Sequence, residues 1–394
     1  LASSMDNTLV DRIVNLNDRP VDPGGLCVVY WMQRSQRAAD NPALNCAVQL
    51  ANDLGKPVLV YFGLHEAYPM ASVRAFQFML EGLRETAAEL ESRGIGFVIR
   101  REHPQDGIVR AAQEFTACAV VVDEDYLNTG RSWRSHAASR LDVRLIQVDA
   151  ETVVPARVSG KEEWGAYTLR PKIKRALPDY FTGSADNSVE HRWTCDFGES
   201  LDIRKIDPGI LARSLSVDQD VAPTKLFKGT PPPSASEGAR GRSGGASQAE
   251  RKLREFIQEN LPRYAGESNQ IGVSVTSDLS PYLHFGQVSA RMIGLAVESA
   301  DAPGECIDAF LEQLIVRREL GINFCLYNPN YDNLDAAPDW ARKTLDAHRL
   351  DDRPELYALE ELESASTHDE LWNAAQTELI QCGRIHGYMR MVWA

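Results

Sequence analysis

Residues 26–62 read LCVVYWMQRSQRAADNPALNCAVQLANDLGKPVLVYF: two apolar, β-branched runs with a helical segment between them. The runs Leu26–Trp31 and Pro57–Phe62 lack the polar alternation of a half-exposed strand, as expected for strands covered on both faces. Between them, Asn41-Pro42 offers a helix N-cap and first-turn proline, and Gly55 offers a stop. Leu44, Ala47, Val48 and Ala51 recur at spacings of three and four, which predicts one apolar helix face. Two parallel strands need a crossover of this kind, so strand, helix and strand in this order point to a parallel sheet.

The unit repeats along the chain. Further strands are expected at Gly96–Arg100, Ala119–Asp123 and Val143–Val148, and a second helix over Ser72–Arg93 carries Phe76, Phe78, Met79 and Leu83 before stopping at Gly94. The reading is an α/β, Rossmann-like domain over residues 12–154, with five strands and helices on both faces. Neither a Gly-x-Gly-x-x-Gly fingerprint nor a Gly-Lys-Ser/Thr loop follows the first strand, so the two common nucleotide signatures are missing. Ligands of such sheets bind beyond the carboxyl ends of the strands. The polar, basic turn Trp31–Arg37 occupies that position, although its composition equally suits a solvated loop.

At about 150 residues per domain, 394 residues allow two or three domains. Residues 155–247 read as a connector. Its first part is basic, with Trp164, Tyr167, Arg170, Lys172, Lys174 and Arg175, and its end (231–247) is a Pro, Ser and Gly tract too poor in apolar residues to build a core. From Gln248 the apolar spacing becomes helical. Helices are expected over Gln248–Asn260, Gly286–Ala300, Pro303–Asn323, Asp339–His348, Ser364–Gln381 and Ile385–Ala394, making residues 248–394 an all-α domain.

The formal charge of −14 argues, as a global sum, against a nucleic-acid partner. Local charge differs: residues 157–181 hold six basic and three acidic side chains, a balance of +3. The seven cysteines include no Cys-x-x-Cys and the eight histidines no His-x-x-x-His, so neither a disulfide framework nor a metal site is expected. There is no Gly-x-Ser-x-Gly hydrolase elbow. The first residues lack a basic, then apolar, leader and no stretch nears 18 apolar residues, which predicts a soluble intracellular protein with no membrane association.

Three segments of the helical half could carry chemistry. Thr276-Ser277-Asp278-Leu279-Ser280-Pro281 sets hydroxyls and a carboxylate before a helix, which reads either as a capping segment or as a phosphate site; Gly286 then permits a close backbone approach. Phe310–Leu320 reads as an amphipathic helix, with Gln313 and Arg317 four apart on one stripe. Trp372 and Trp393 are either core residues or an electron relay. Gly383 and Gly387 interrupt the helix between them, so spacing does not give their separation.

Taken together, YWMQRSQR (30–37), RPKIK (170–174), LSPYLHFGQV (279–288), RREL (317–320), FCLYNPNY (324–331), WARKTL (340–345), THDELWNAAQ (367–376) and HGYMRMVW (386–393) resemble the class II cyclobutane pyrimidine dimer photolyases of the photolyase/cryptochrome family. The resemblance runs from about residue 12 to the end. It implies light-dependent repair of UV-damaged DNA: FAD in the helical domain passes an electron to a flipped-out pyrimidine dimer, which costs less to flip than an intact pair. It implies a light-harvesting chromophore in the α/β domain, a deazaflavin in some relatives. By position, Tyr264, Thr276, Ser277, Asp278, Leu279, Ser280 and Arg390 match flavin contacts, Arg390 as a cation beside an anionic ring. Trp372 and Trp393 match the electron chain, and Asn269, Gln313, Arg317, Tyr388 and Met391 match DNA contacts. A monomer without obligate protein partners is implied, cytoplasmic, or nuclear in a eukaryote.

Three departures from the family pattern stand out. Gln313 replaces a common Glu and can hydrogen-bond a thymine carbonyl but cannot supply a proton. Ser268-Asn269 replaces an Arg-Asn pair. Members of the family continue for several tens of residues past the position of Ala394, so a C-terminally incomplete helical domain with weak FAD retention is expected. A cryptochrome-type blue-light photoreceptor without repair activity is the alternative reading, mildly favoured by Gln313 and Ser268. A third is an adenine-nucleotide-binding α/β module, carried by residues 25–154, on a helical scaffold.

Overall fold

The computed structural model describes residues 7–66, 68, 71–183, 186–215 and 242–393, the side chain of Trp393 excepted. Its first half holds a six-stranded sheet in the order β1-β6-β5-β2-β3-β4. The strands are β1 (Ile13–Asn15), β2 (Cys27–Trp31), β3 (Val58–Leu64), β4 (Gly96–Arg101), β5 (Ala117–Asp123) and β6 (Arg144–Val148). All neighbours pair in parallel except β1, which runs antiparallel to β6 along one edge. That strand went unread in the sequence: three partly exposed residues carry no period to detect. Every residue of β2, β3 and β5 is buried, as the unbroken apolar runs require.

The helices start and stop where their caps predict. In α1 (Pro42–Leu54) the Asn41 side chain accepts from the amides of Ala43 and Leu44, and Gly55 ends the helix in the left-handed region. In α2 (Val73–Arg93) Ser72 accepts from Ala75, and Gly94 ends it. These two helices cover one sheet face, Leu44, Val48, Leu80 and Leu83 packing on Val28, Tyr30 and Val60. The other face, with Val29, Trp31, Leu59 and Tyr61, is covered by α3 (Pro104–Glu114) and α4 (Asn128–Arg140) through Ile108, Ala111 and Ala137.

Residues 155–247, read as a connector, contribute to both cores. Helix α5 (Ala166–Tyr180) forms with Pro171 and Pro178 inside it. A proline removes one intrahelical hydrogen bond, and here tertiary packing outweighs that loss. Ala166, Leu169 and Ile173 are buried in the second core, while the basic residues lie outward. Helix α6 (Pro208–Ser214), capped by Asp207, packs Leu211 and Ala212 into the sheet domain's core. The Pro, Ser and Gly tract lies largely outside the described residues.

The second half is helical, as expected, with different breaks. It comprises α7 (Ala246–Glu255), α8 (Ala290–Glu298), α9 (Gly304–Leu311), α10 (Arg318–Tyr327), α11 (Asp339–Ala347), α12 (Glu370–Cys382) and α13 (Gly387–Trp393), with single turns between. The helix expected from Gly286 begins four residues later because Ser289 caps it. The one expected over Ser364–Gln381 divides into a turn at Leu359–Glu363 and α12, capped by Asp369. Between α9 and α10 the chain runs without a stop through a π turn, Glu312–Arg317.

A buried polar seam joins the halves. Arg37 donates to the carbonyls of Asp40, Ala150 and Gly286 and to Glu151 at 3.0 Å. Glu151 also accepts from Ser35 at 2.6 Å and from Arg318 at 3.4 Å. On α10, Glu319 accepts from the amide of Val153 at 2.6 Å. Burial pushes Glu319 up to about 8, with Asp149 adding to the rise while the Val153 amide, Arg318 and Arg12 oppose it. The folded chain therefore keeps a proton that the unfolded chain releases above its ordinary 4.5. Stability from this group is full at low pH, falls as pH rises towards 8, and is level above it. Glu319→Gln should flatten that decline, which thermal unfolding at several pH values across the window would read. An equally steep decline in the variant would count against it.

Candidate functional site

Asp123 ends β5 at the centre of the sheet and organises the turn after β2. Its carboxylate accepts from the amides of Gln33 (2.8 Å), Arg34 and Ser35 (2.9 Å) and from the Tyr30 hydroxyl (3.1 Å). Burial raises its pKa, against the lowering effect of those three amides. The turn Trp31–Arg37 is thus fixed, and with the carboxyl end of β3 it lines a cavity of about 370 Å³. The walls are mainly apolar, including Trp31, Phe62, Leu64, Phe76, Met79 and Phe285. Five polar atoms of its lining residues stand out: Trp31 Nε1, both amide atoms of Gln33, Arg34 Nε and Gln36 Oε1 are buried without a hydrogen-bond partner. Nine in ten or more buried polar groups in proteins are satisfied. An apolar slot with several such atoms suits a flat heterocycle with polar edges. At its rim, the His65 and His103 rings lie 4.6 Å apart and Trp133 stands edge-on at 5.6 and 5.3 Å. Burial, then His103, lowers the pKa of His65, favouring the neutral ring.

In the helical half, Gln313 and Arg317 are both exposed on the π turn. The turn is tied to α5 by Arg170, whose guanidinium forks Glu312 at 3.0 and 2.7 Å; Glu312 in turn lies 3.4 Å from Arg317. The Arg170 hydrogen bonds hold the Glu312 carboxyl below its usual range. Tyr264 is half-buried, its ring edge-on to Phe256 and Phe310. Asn269 is exposed just beyond that turn.

The capping reading of Thr276–Ser280 is not what the structure shows. Leu279 occupies the N-cap position of the single turn Ser280–His284, and no side chain caps it. Ser277 Oγ accepts weakly from the Leu279 amide at 3.4 Å. Thr276 and Ser277 are half-exposed and Ser280 exposed. Asp278 sits at φ 57° and pairs with Arg242 and, at 3.8 Å, with Arg384. Hydroxyls and two guanidiniums meet here, both guanidiniums paired with Asp278 and Arg384 also with Glu378 at 2.8 Å, so an anionic, hydrogen-bonding group would compete with these carboxylates. Arg242 goes unread in the sequence because it lies within the low-complexity tract; of the cavity's lining the sequence marks the turn Trp31–Arg37, while the rest comes from separated segments.

Arg384 leads into α13, where Tyr388, Arg390 and Met391 are exposed and Met389 is buried. Trp372 on α12 is half-buried and donates its indole N–H to the Leu362 carbonyl at 3.1 Å. The side chain of Trp393 lies outside the described residues. Among the described residues, no hydrogen bond or ion pair links Gln313 or Arg317 to the exposed residues of α13.

A family model described as DNA photolyase matches residues 28–188. The deoxyribodipyrimidine photo-lyase of Methanothermobacter thermautotrophicus is 39% identical over 388 residues, spanning 97% of this chain and 80% of the relative. This chain belongs to the DNA photolyase family. The deoxyribodipyrimidine photo-lyase of Arabidopsis thaliana is 37% identical over 383 residues, with 95% of this chain and 74% of the relative aligned. Among solved structures, a bacterial class III photolyase from Agrobacterium tumefaciens superposes with a TM-score of 0.69, covering 93% of this chain and 71% of that one. At 20% identity that likeness speaks for the photolyase fold alone. Among the described residues no helix is long and apolar enough to cross a membrane.

Proposed function

We propose that this chain is a class II, light-dependent lyase that splits cyclobutane pyrimidine dimers in UV-damaged DNA. Identity to enzymes named for that reaction, extending through both halves of the chain, carries the reading. The eight class II-like segments support the class.

Thr276, Ser277 and Ser280, with Arg242 and Arg384, would hold the phosphates and ribose of FAD, and Tyr264 would border it. When bound and reduced, FAD supplies the photoexcited electron that opens the cyclobutane ring. Arg390, by its match to the family, would set a cation beside the flavin ring and favour a negative charge there. Trp372 and Trp393, by their match to the family's electron chain, would relay electrons to it. Gln313 donates from its amide to a pyrimidine carbonyl and so orients the dimer, while Arg317, Asn269, Tyr388 and Met391 contact the flipped nucleotides and their backbone. The strand-end cavity holds a light-harvesting chromophore of deazaflavin type, whose polar edges would satisfy Trp31 Nε1 and the Gln33 amide.

The test is direct. Purified protein supplied with FAD and reductant, mixed with a thymine-dimer oligonucleotide, should restore intact thymines under blue light and not in the dark. Flavin-loaded protein that leaves the dimer intact under light would refute the reading.

A further inference from the structure

We infer that Trp164 and Tyr167, backed by Lys174 and Arg175, form an aromatic and basic shoulder that grips the DNA strand flanking the dimer. The inference rests on the repair reading above and extends it to a surface that no residue assigned so far occupies.

Helix α5 has two faces of opposite character. Ala166, Leu169 and Ile173 point into the second core. On the other side, Tyr167 is 85% exposed, and Pro171, Lys174 and Arg175 follow it in the open. Trp164, just before the helix, is 89% exposed. A single exposed aromatic is ordinary. Two of them, three residues apart and both nearly bare, cover no core and fill no gap.

Nor does Trp164 hang on a loose loop. Asn323 of α10, only 2% exposed, donates to Ser159 Oγ at 2.8 Å and to the Lys161 carbonyl at 3.0 Å, and accepts from the Glu163 amide at 2.8 Å. Buried Glu163 pairs with Lys172, which also donates to the Ser159 carbonyl. The segment leading into Trp164 is therefore held by buried polar contacts, and the helix begins two residues after it, so little entropy remains to be lost when a ligand docks.

The surrounding charge selects a polyanion. Lys161, Lys174 and Arg175 are exposed and make no ion pair among the described residues. The nearby acid Glu162 is engaged by Asn328 at 3.1 Å. The shoulder is also continuous with the proposed lesion contacts, because Arg170 of the same helix forks Glu312, the first residue of the turn bearing Gln313 and Arg317. Flipping a dimer leaves neighbouring bases unstacked and two bases unpaired. Indole and phenol faces accept any such base, while lysine and arginine hold the phosphates between them.

The test uses the full chain and a dimer-containing duplex, read by fluorescence anisotropy. The W164A/Y167A double variant should bind about tenfold more weakly, and W164F/Y167F should stay within about twofold of wild type, because phenyl rings still stack. K174A/R175A should lower the slope of log affinity against log salt by about 2, the loss of two phosphate contacts. All four side chains stand in solvent, so melting temperatures should not move. Alanine and phenylalanine variants that bind like wild type, in a protein that repairs dimers, overturn the shoulder alone. A wild type that ignores the dimer yet loses single-strand affinity in W164A/Y167A overturns the repair reading and keeps the shoulder. A wild type that binds no DNA overturns both.

Discussion

Gly286→Ala is expected to unseat the two halves of the protein from one another. Gly286 sits at φ 62°, and a Cβ built there would lie 1.9 Å from the Arg34 carbonyl oxygen and 2.7 Å from Ser35 Cα. Both obstacles are backbone, so no side-chain rotation relieves them, and the Gly286 carbonyl would have to leave Arg37. Left-handed geometry alone costs an alanine about 1–2 kcal/mol. With the overlap added, a loss of about 4 kcal/mol or more is expected, the range reserved for broken cores and networks. Gly160 supplies the control: its φ is 69° and nothing lies within 4 Å of the added Cβ. Gly160→Ala should therefore show the conformational cost alone. Thermal unfolding of the two variants side by side checks this, and equal melting temperatures would show that the close approach is dispensable.

The second large effect concerns the strand-end cavity. Ala75, on the first turn of α2, lines it. An indole at that position would occupy much of the 370 Å³, so Ala75→Trp should lower chromophore affinity by about a hundredfold, comparable to the loss of most apolar contact. Gln33→Leu keeps the bulk and removes two hydrogen-bonding atoms; at about 1 kcal/mol each, affinity should fall by roughly tenfold or more. Absorbance of bound deazaflavin per flavin, titrated into each variant, measures both. Unchanged binding by Ala75→Trp would place the chromophore elsewhere.

The sheet domain was legible because its signals are local. Asn41 with Pro42, Ser72, Gly55 and Gly94 each act within four residues, and the buried strands are continuous apolar runs. What escaped was either too short or set by distant partners. Strand β1 has three residues and exists by pairing with β6. Helix α5 lies in a stretch whose sequence signal is its basic charge, and it is tied to a turn more than a hundred positions away by Arg170 and Glu312. Gly286 was read as allowing a close approach, and it does, although what approaches is the Arg34–Ser35 turn of the same chain. The polar turn Trp31–Arg37 is legible as standing where a ligand would bind, but which of its atoms are buried without a partner is not. Gln33 is an ordinary loop residue until Asp123, ninety positions later, fixes its backbone.

The π turn at Glu312–Arg317 has a consequence for how this chain can vary. A π turn is a helix with a residue to spare, and removing any one residue there would restore regular winding. Such a deletion leaves α10 in register, but each residue of a regular helix advances about 100°, so a second one, with no spare residue left to absorb it, would swing the whole of α10 around its axis by that amount. Arg318 would leave Glu151, Glu319 would leave Val153, and Asn323 would leave the segment before Trp164. Exchanges at the outward positions 313 and 317 carry no such penalty. Descendants of this sequence are free to respell that surface but can shorten it by one residue only.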